Sequence, residues 1–287
     1  MNNIINGKNI ASSILEDLKI ECTRLTNGVM APLLSIVLVG DNAASKVYIN
    51  NKIRAASFVG IRTRLIHLKS DISEKNLLDQ IERLNADNDV SAIIVQLPLP
   101  SHISKSKIIE SINPNKDVDG FHPINIGRLY SGKKGSFVPC TALGCLELIK
   151  ASKISLPGKN VVMIGRSIIV GRPLAALLLN EDCTVTICHS KTQNLKSITQ
   201  NADVIISAIG IAKYLTRGYF SKKAVVIDVG ISRIKIDGEY KICGDVDFEN
   251  VKDYVSYVTP VPGGVGPMTV AFLLANTLKS FKLQHTI

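Results

Sequence analysis

"KNVVMIGRSIIVGRPLAALLL", residues 159–179, reads as a strand, a glycine turn and a helix in succession. The apolar run 161–164 suits a strand covered on both faces. Gly165 allows a tight turn and Gly171 a close backbone approach. The helix that follows would offer free N–H groups and a positive dipole end to an anion. Pro173 fits its first turn, having no N–H to leave unpaired. The spacing is not GxGxxG, and taken alone the stretch also reads as a plain strand-to-helix connection.

The next strand narrows that choice. In the usual dinucleotide fold the second strand ends in an acidic residue, about 20 residues on, that binds a ribose hydroxyl. Here "CTVTICHSKT" (183–192) ends in His189, Ser190 and Lys191. An acid would repel a 2′-phosphate, whereas a hydroxyl and cations accommodate one, and Arg166 adds charge. The pattern favours NADP over NAD.

Working outward, apolar runs of strand length alternate with amphipathic stretches of helix length. "LLSIVLVG" precedes a helix over 43–59, "TRLIHL" precedes "SEKNLLDQIERLNAD", and "AIIVQLPL" precedes "SKSKIIESI". After a loop-like stretch rich in Gly, Asn and Pro (113–135), the alternation resumes with "KNVVMIG", "CTVTICH", "DVIISAIG" and "AVVIDVG". The fold class is therefore α/β, with two α/β domains, a cleft between them, and a Rossmann-like dinucleotide-binding unit as the second. The predicted domains are 1–140, completed by a C-terminal helix over 268–287, and 141–267.

Composition excludes several classes. With 46% hydrophobic and 20% charged residues in 287, the chain is globular, and it has neither a membrane-length apolar run nor an export signal at its start. The six cysteines lack a CxxC pair, which predicts reduced thiols and a cytoplasmic location. Net charge is +10, but the basic residues are spread along the chain and aromatics are 5%, so small anionic ligands are favoured over nucleic acid. No His, Cys and carboxylate cluster has metal-ligand spacing, and no metal site is predicted.

"YINNK" (48–52) sets Tyr48 and Lys52 on one face of the helix over 43–59. A helical lysine is ordinarily solvated surface. An amine drawn into a partly dry cleft, however, exchanges protons near neutrality, because burial disfavours the charged form. "VQLPLP" (95–100) ends a buried strand in Gln96, and "KDVDGF" (116–121) puts Asp119 in a glycine turn, where a turn role and a ligand role are both open. "TPVPGGVGPMTVAFLL" (259–274) makes a rigid Pro/Gly loop before a helix, which a flat ligand approaches closely unless it is a bare hinge.

Together, "YINNK", "VQLPLPSHI", "KDVDGFHPINIGRL", "PCTALG", "GRSIIVGRP", "CHSKT", "GDVDF" and "TPVPGGVGPMTVAFL" resemble, in order, the bifunctional methylenetetrahydrofolate dehydrogenase/cyclohydrolase family. The resemblance implies NADP-dependent oxidation of 5,10-methylenetetrahydrofolate, then hydrolysis of the methenyl product to 10-formyltetrahydrofolate. It puts the acid/base role on Lys52, its partner on Tyr48, the orienting amide on Gln96 and the pterin-holding carboxylate on Asp119. Substrate contacts would extend to Val95 and Leu97 and to the loop Pro262, Gly263, Gly264, Val265, Gly266, Pro267, Met268, Thr269 and Val270. Cofactor contacts would fall on Gly165, Arg166, Ser167, Ser190 and Ile231. The implied partners are tetrahydrofolate derivatives, with polyglutamate tails that suit a basic protein, and a second copy of the chain in a homodimer through the nucleotide domain. Family members commonly have proline at the positions of Ala43, Ala142 and Ala212, and asparagine at that of Ile168. The last change removes a polar group beside the phosphates and predicts weaker cofactor binding. A cyclohydrolase without hydride transfer, and a non-catalytic folate-binding or nucleotide-binding protein, are the competing readings.

Overall fold

The computed structural model describes residues 3–27, 30–133, 135–236 and 238–285. The first half runs α1 (Gly7–Leu25), β1 (Leu33–Val39), α2 (Ala43–Val59), β2 (Arg62–Leu68), α3 (Glu74–Ala86), β3 (Ala92–Val95), α4 (Lys105–Ser111) and α5 (Pro123–Tyr130). The second runs α6 (Cys140–Ala151), β4 (Asn160–Ile164), α7 (Gly171–Asn180), β5 (Thr184–Cys188), α8 (Leu195–Gln200), β6 (Val204–Ser207) and β7 (Val225–Asp228). It closes with β8 (Ser232–Ile236), β9 (Glu239–Cys243), α9 (Phe248–Val251), β10 (Tyr257–Val258) and α10 (Val265–His285). Among the described residues, no helix is long and apolar enough to cross a membrane.

Two compact units result. One comprises Ser12–Cys140 with Val270–Ile287, the other Thr141–Thr269 with the chain up to Ala11. The first unit holds a parallel sheet ordered β2-β1-β3. Every residue of β1 is buried, and the strand's period of two divides them between cores. Leu34, Ile36 and Leu38 pack with Ile49, Ala56 and Val59 of α2 and Leu273, Leu274 and Leu278 of α10. Leu33, Val37 and Val39 pack with Leu77, Ile81 and Leu84 of α3 and Ile108 of α4. Both faces of β1 are thus covered, as its predominantly apolar sequence requires. Helix α2 starts where the Asn42 side chain accepts the Ser45 N–H (3.0 Å) and stops at Gly60, whose φ of 94° is left-handed.

The second unit holds a five-stranded sheet ordered β10-β7-β6-β4-β5, with its paired strands parallel. The chain passes from β4 to β5 on one side, then crosses to β6 on the other. Such a reversal leaves a ligand crevice at the strands' carboxyl ends. Residues 1–11, read from sequence as part of the first domain, fall within this unit. Ile4 bridges Val258, and the Ile5 N–H donates to the Val258 carbonyl (2.9 Å), so the amino-terminal stretch extends the β10 edge.

Two other features depart from the sequence reading. The stretch 113–135, expected as loop, contains α5: Pro123 takes the first helical position, and the His122 side chain accepts the Ile124 N–H (3.1 Å). Strands β8 and β9 form an antiparallel hairpin outside the main sheet.

Candidate functional site

In the first unit, Lys52 lies on α2, half-buried, and its Nζ donates to Gln96 Oε1 at 3.0 Å. Gln96 is fixed on both sides. Its backbone N–H donates to Val37 O of β1 (2.8 Å), and its Nε2 donates to Leu97 O (2.7 Å), which turns the amide oxygen toward the lysine. Helix α2 is tied to the same carbonyl through Ser45 Oγ (3.5 Å). Tyr48 stands one turn before Lys52 on the same helix face and is 40% exposed. Val95 is buried in the core beside α3 and α4. Leu97 is half-buried and precedes a cis proline, Pro98.

Asp119 completes the group. Burial pushes its carboxyl up, the Lys52 charge pulls it down, and Asp117 pushes it up again, so the lysine and the two acids share one electrostatic neighbourhood. The turn that carries Asp119 is tight: a Cβ on Gly120 would lie 2.6 Å from the Val138 carbonyl carbon. Asn276 of α10 holds the turn, its Nδ2 donating to Val118 O (2.8 Å) and Val138 O (3.1 Å). Cys140 adjoins it, with a thiol that burial, and then the Asp119 charge, push well above the usual range. The sequence reading missed Asn276, Asp117 and Cys140. The available signals were a polar residue in an apolar helix and two carboxylates spaced by one residue.

In the second unit, Gly165 follows β4 at φ 125° and Gly171 begins α7. The turn has no room for side chains at either. A Cβ on Gly171 would lie 2.2 Å from Gly165 O, and one on Gly165 2.6 Å from Ala208 O. Ser167 Oγ accepts the Val170 N–H (3.1 Å), and Arg166, Ser167 and Ile168 are exposed around the turn. Past β5, the His189 N–H donates to Thr192 Oγ1 (2.9 Å), leaving Ser190 and Lys191 exposed. Bare backbone at a helix start, with hydroxyls and cations in place of an acid after β5, fits a dinucleotide bearing an additional ribose phosphate. Ile231, beyond β7, is exposed.

The loop 262–270 is assembled by close backbone contact. The Lys8 N–H donates to Gly263 O (3.0 Å), and a Cβ on Gly7 would lie 2.0 Å from Gly264 O. Thr269 and Thr141 share a hydroxyl hydrogen bond (3.2 Å). Pro262 is exposed, while Gly263, Gly266, Pro267 and Val270 are partly so. Gly264, Val265 and Met268 are buried, the last against Gly144, which makes the Met268 side chain a packing residue here.

A parallel sheet with a glycine phosphate turn at the end of β4, beside the point where the strand order reverses, and a separate α/β unit carrying a lysine, an amide and two carboxylates, define a two-domain dinucleotide-dependent enzyme. The tetrahydrofolate dehydrogenase/cyclohydrolase catalytic domain matches residues 5–119, and that family's NAD(P)-binding domain matches 139–285. A bifunctional FolD protein of Rickettsia africae is 59% identical over 98% of this chain and 97% of its own. The crystal structure of the bifunctional methylenetetrahydrofolate dehydrogenase/cyclohydrolase FolD from Campylobacter jejuni has a TM-score of 0.94 and 48% identity, covering 98% of both chains. That of the Trypanosoma brucei dehydrogenase-cyclohydrolase, complexed with NADP cofactor and inhibitor, has a TM-score of 0.95 and 36% identity, covering 99% of this chain and 98% of the other. The chain belongs to the tetrahydrofolate dehydrogenase/cyclohydrolase family.

Proposed function

We propose that the chain oxidises 5,10-methylenetetrahydrofolate with NADP and hydrolyses the methenyl product to 10-formyltetrahydrofolate, with Lys52 as the proton carrier of the second reaction. The observation that carries this assignment is the 3.0 Å hydrogen bond from Lys52 Nζ to a glutamine that is itself fixed at backbone and side chain.

Hydrolysis requires a water to attack the methenyl carbon while losing a proton, and the carbon's bond to N5 then to break as that nitrogen takes one and the hydroxyl left on the carbon releases its remaining proton to solvent to become the formyl carbonyl. Lys52 serves both steps. A neutral amine bonds Gln96 through one N–H and keeps its lone pair for the water's proton, which it later returns to N5. Asp119 holds the pterin, and Tyr48 lies against the substrate from the turn before Lys52. The main chain of residues 95–97 and the loop 262–270 supply the remaining contacts.

Gly165, Arg166, Ser167, Ser190 and Ile231 would hold the dinucleotide. The chemistry that NADP supplies when bound is acceptance of a hydride, and the protein's part is to align the donor carbon and keep water away. The two units, Ser12–Cys140 with Val270–Ile287 and Thr141–Thr269 with the stretch up to Ala11, serve these two tasks. The protein acts as a homodimer through the nucleotide unit in the cytoplasm, a location that its free cysteines support. Its recovery in an envelope fraction would contradict that location.

The test is Lys52→Met. Methenyl hydrolysis is expected to fall at least ~100-fold, the usual worth of a general base, while folate affinity stays within a few-fold. An unchanged rate would remove Lys52 from the mechanism.

A further inference from the structure

At the carboxyl ends of β6 and β7, two buried aspartates tie three loops together. Asp228, the last residue of β7, accepts the N–H groups of Gly230 (2.9 Å) and Asp245 (3.0 Å) at Oδ1 and that of Val246 (2.8 Å) at Oδ2. Asp245 accepts the Ser207 hydroxyl (2.9 Å) and the Ile209 N–H (2.9 Å) at Oδ2, and the Ile211 N–H (2.9 Å) at Oδ1. Segments 208–211, 229–231 and 244–246 are therefore fastened to one another through two side chains.

The packing leaves no slack. A Cβ on Gly230 would lie 2.2 Å from the Asp245 carboxylate, and one on Gly244 2.0 Å from Asp228 Oδ2. The phosphate turn joins the assembly, since Gly165 is in close contact with Ala208 in the first of these segments. Two of the segments end in exposed apolar side chains, Ile211 (53%) and Ile231 (50%). Isoleucines exposed on a backbone this firmly held, at the crevice end of a parallel sheet, suit a flat ring ligand better than open solvent.

We propose that Asp245, braced by Asp228, is a positioning residue for the dinucleotide: it fixes the 209–211 segment so that Ile211 and Ile231 present two rigid apolar edges to the cofactor's rings. The inference rests on NADP as the cofactor and assigns a task to carboxylates that lie outside the hydrolytic chemistry. Asp245→Asn keeps the size but replaces an acceptor with a donor. An N–H must then face either the Ile211 N–H or the Ile209 N–H with the Ser207 hydroxyl, and the segment loosens.

Three measurements on the full chain test this: fluorescence titration with NADPH alone, methenyl hydrolysis without dinucleotide, and thermal melting. Asp245→Asn is expected to weaken NADPH binding by ~10-fold or more, as loss of a charge-assisted bond implies, with hydrolysis within about twofold of wild type. Ile211→Ala is expected to weaken NADPH binding with an unchanged melting temperature. Unaltered NADPH affinity in Ile211→Ala, or in a folded Asp245→Asn, would overturn the proposal. So would equal loss of affinity and hydrolysis in Asp245→Asn, which would mark the pair as holding the fold only. Wild-type protein that bound no NADPH would instead sink the functional reading itself.

Discussion

Asp228 shows how a single carboxyl links the fold to pH. Burial pushes it from the ordinary 3.8 to about 7, the Asp245 charge adds to the rise, and three backbone N–H bonds oppose it. Its surroundings also include the Cys243 thiol, on which both carboxylates act. A raised acid holds its proton in the folded chain after the unfolded chain has released it. The folded state thus binds more protons between the two values, and stability falls as pH rises from about 4 to about 7. Urea denaturation across that window should show this decline in wild type and a flatter profile in Asp228→Asn. Equal slopes in the two proteins would place the proton elsewhere.

At the scale of the element, the β4–α7 turn makes the sharpest demand on sequence. A methyl on Gly171 would meet Gly165 O at 2.2 Å and the Arg166 Cα at 3.0 Å, both main-chain atoms that cannot swing aside. Gly171→Ala should cost roughly 1–3 kcal/mol in urea denaturation and sharply weaken NADPH binding. Gly127 in α5 is the opposite case. It is exposed, nothing lies within 4 Å of its Cβ position, and Gly127→Ala should stabilise by up to about 1 kcal/mol through helix propensity. Elements of this kind differed in how plainly the sequence announced them. β1, β3, β4 and β6 were visible as mainly apolar runs because both their faces are covered. α5 was hidden, since Pro123, Asn125 and Gly127 mimic loop composition while the cap comes from a histidine side chain. β8 and β9 were hidden because "SRIKI" and "EYKIC" mix charge with apolar residues on an exposed ribbon. Lys52 and Gln96 meet across 44 residues through the packing of α2 on β1 and β3, so spacing alone could not join them and only the family motifs did. Asp228 and Asp245 lie 17 residues apart and meet only through the Asp245 N–H bond to Asp228, so no local pattern joined them either.

For the molecule as a whole, the nucleotide sheet ends at β5, an edge strand whose Ile187 is 40% exposed, and Leu179 of the preceding helix α7 is 63% exposed. An uncovered strand of this character invites pairing with its own copy about a twofold axis, which supports the homodimer. Sedimentation velocity should find a dimer in wild type and a shift toward monomer in Ile187→Lys; a monomer at all concentrations in wild type would refute it. The division of the chain has its own outcome. Because the stretch up to Ala11 serves the nucleotide unit and Val270–Ile287 serves the other, the polypeptide crosses between units at three places, and neither is a contiguous piece. A single protease nick, or a gene split at any one codon, therefore cannot release an intact half. The two activities are spliced into one inheritance, and separating them would require rejoining ends that the ribosome never places next to each other.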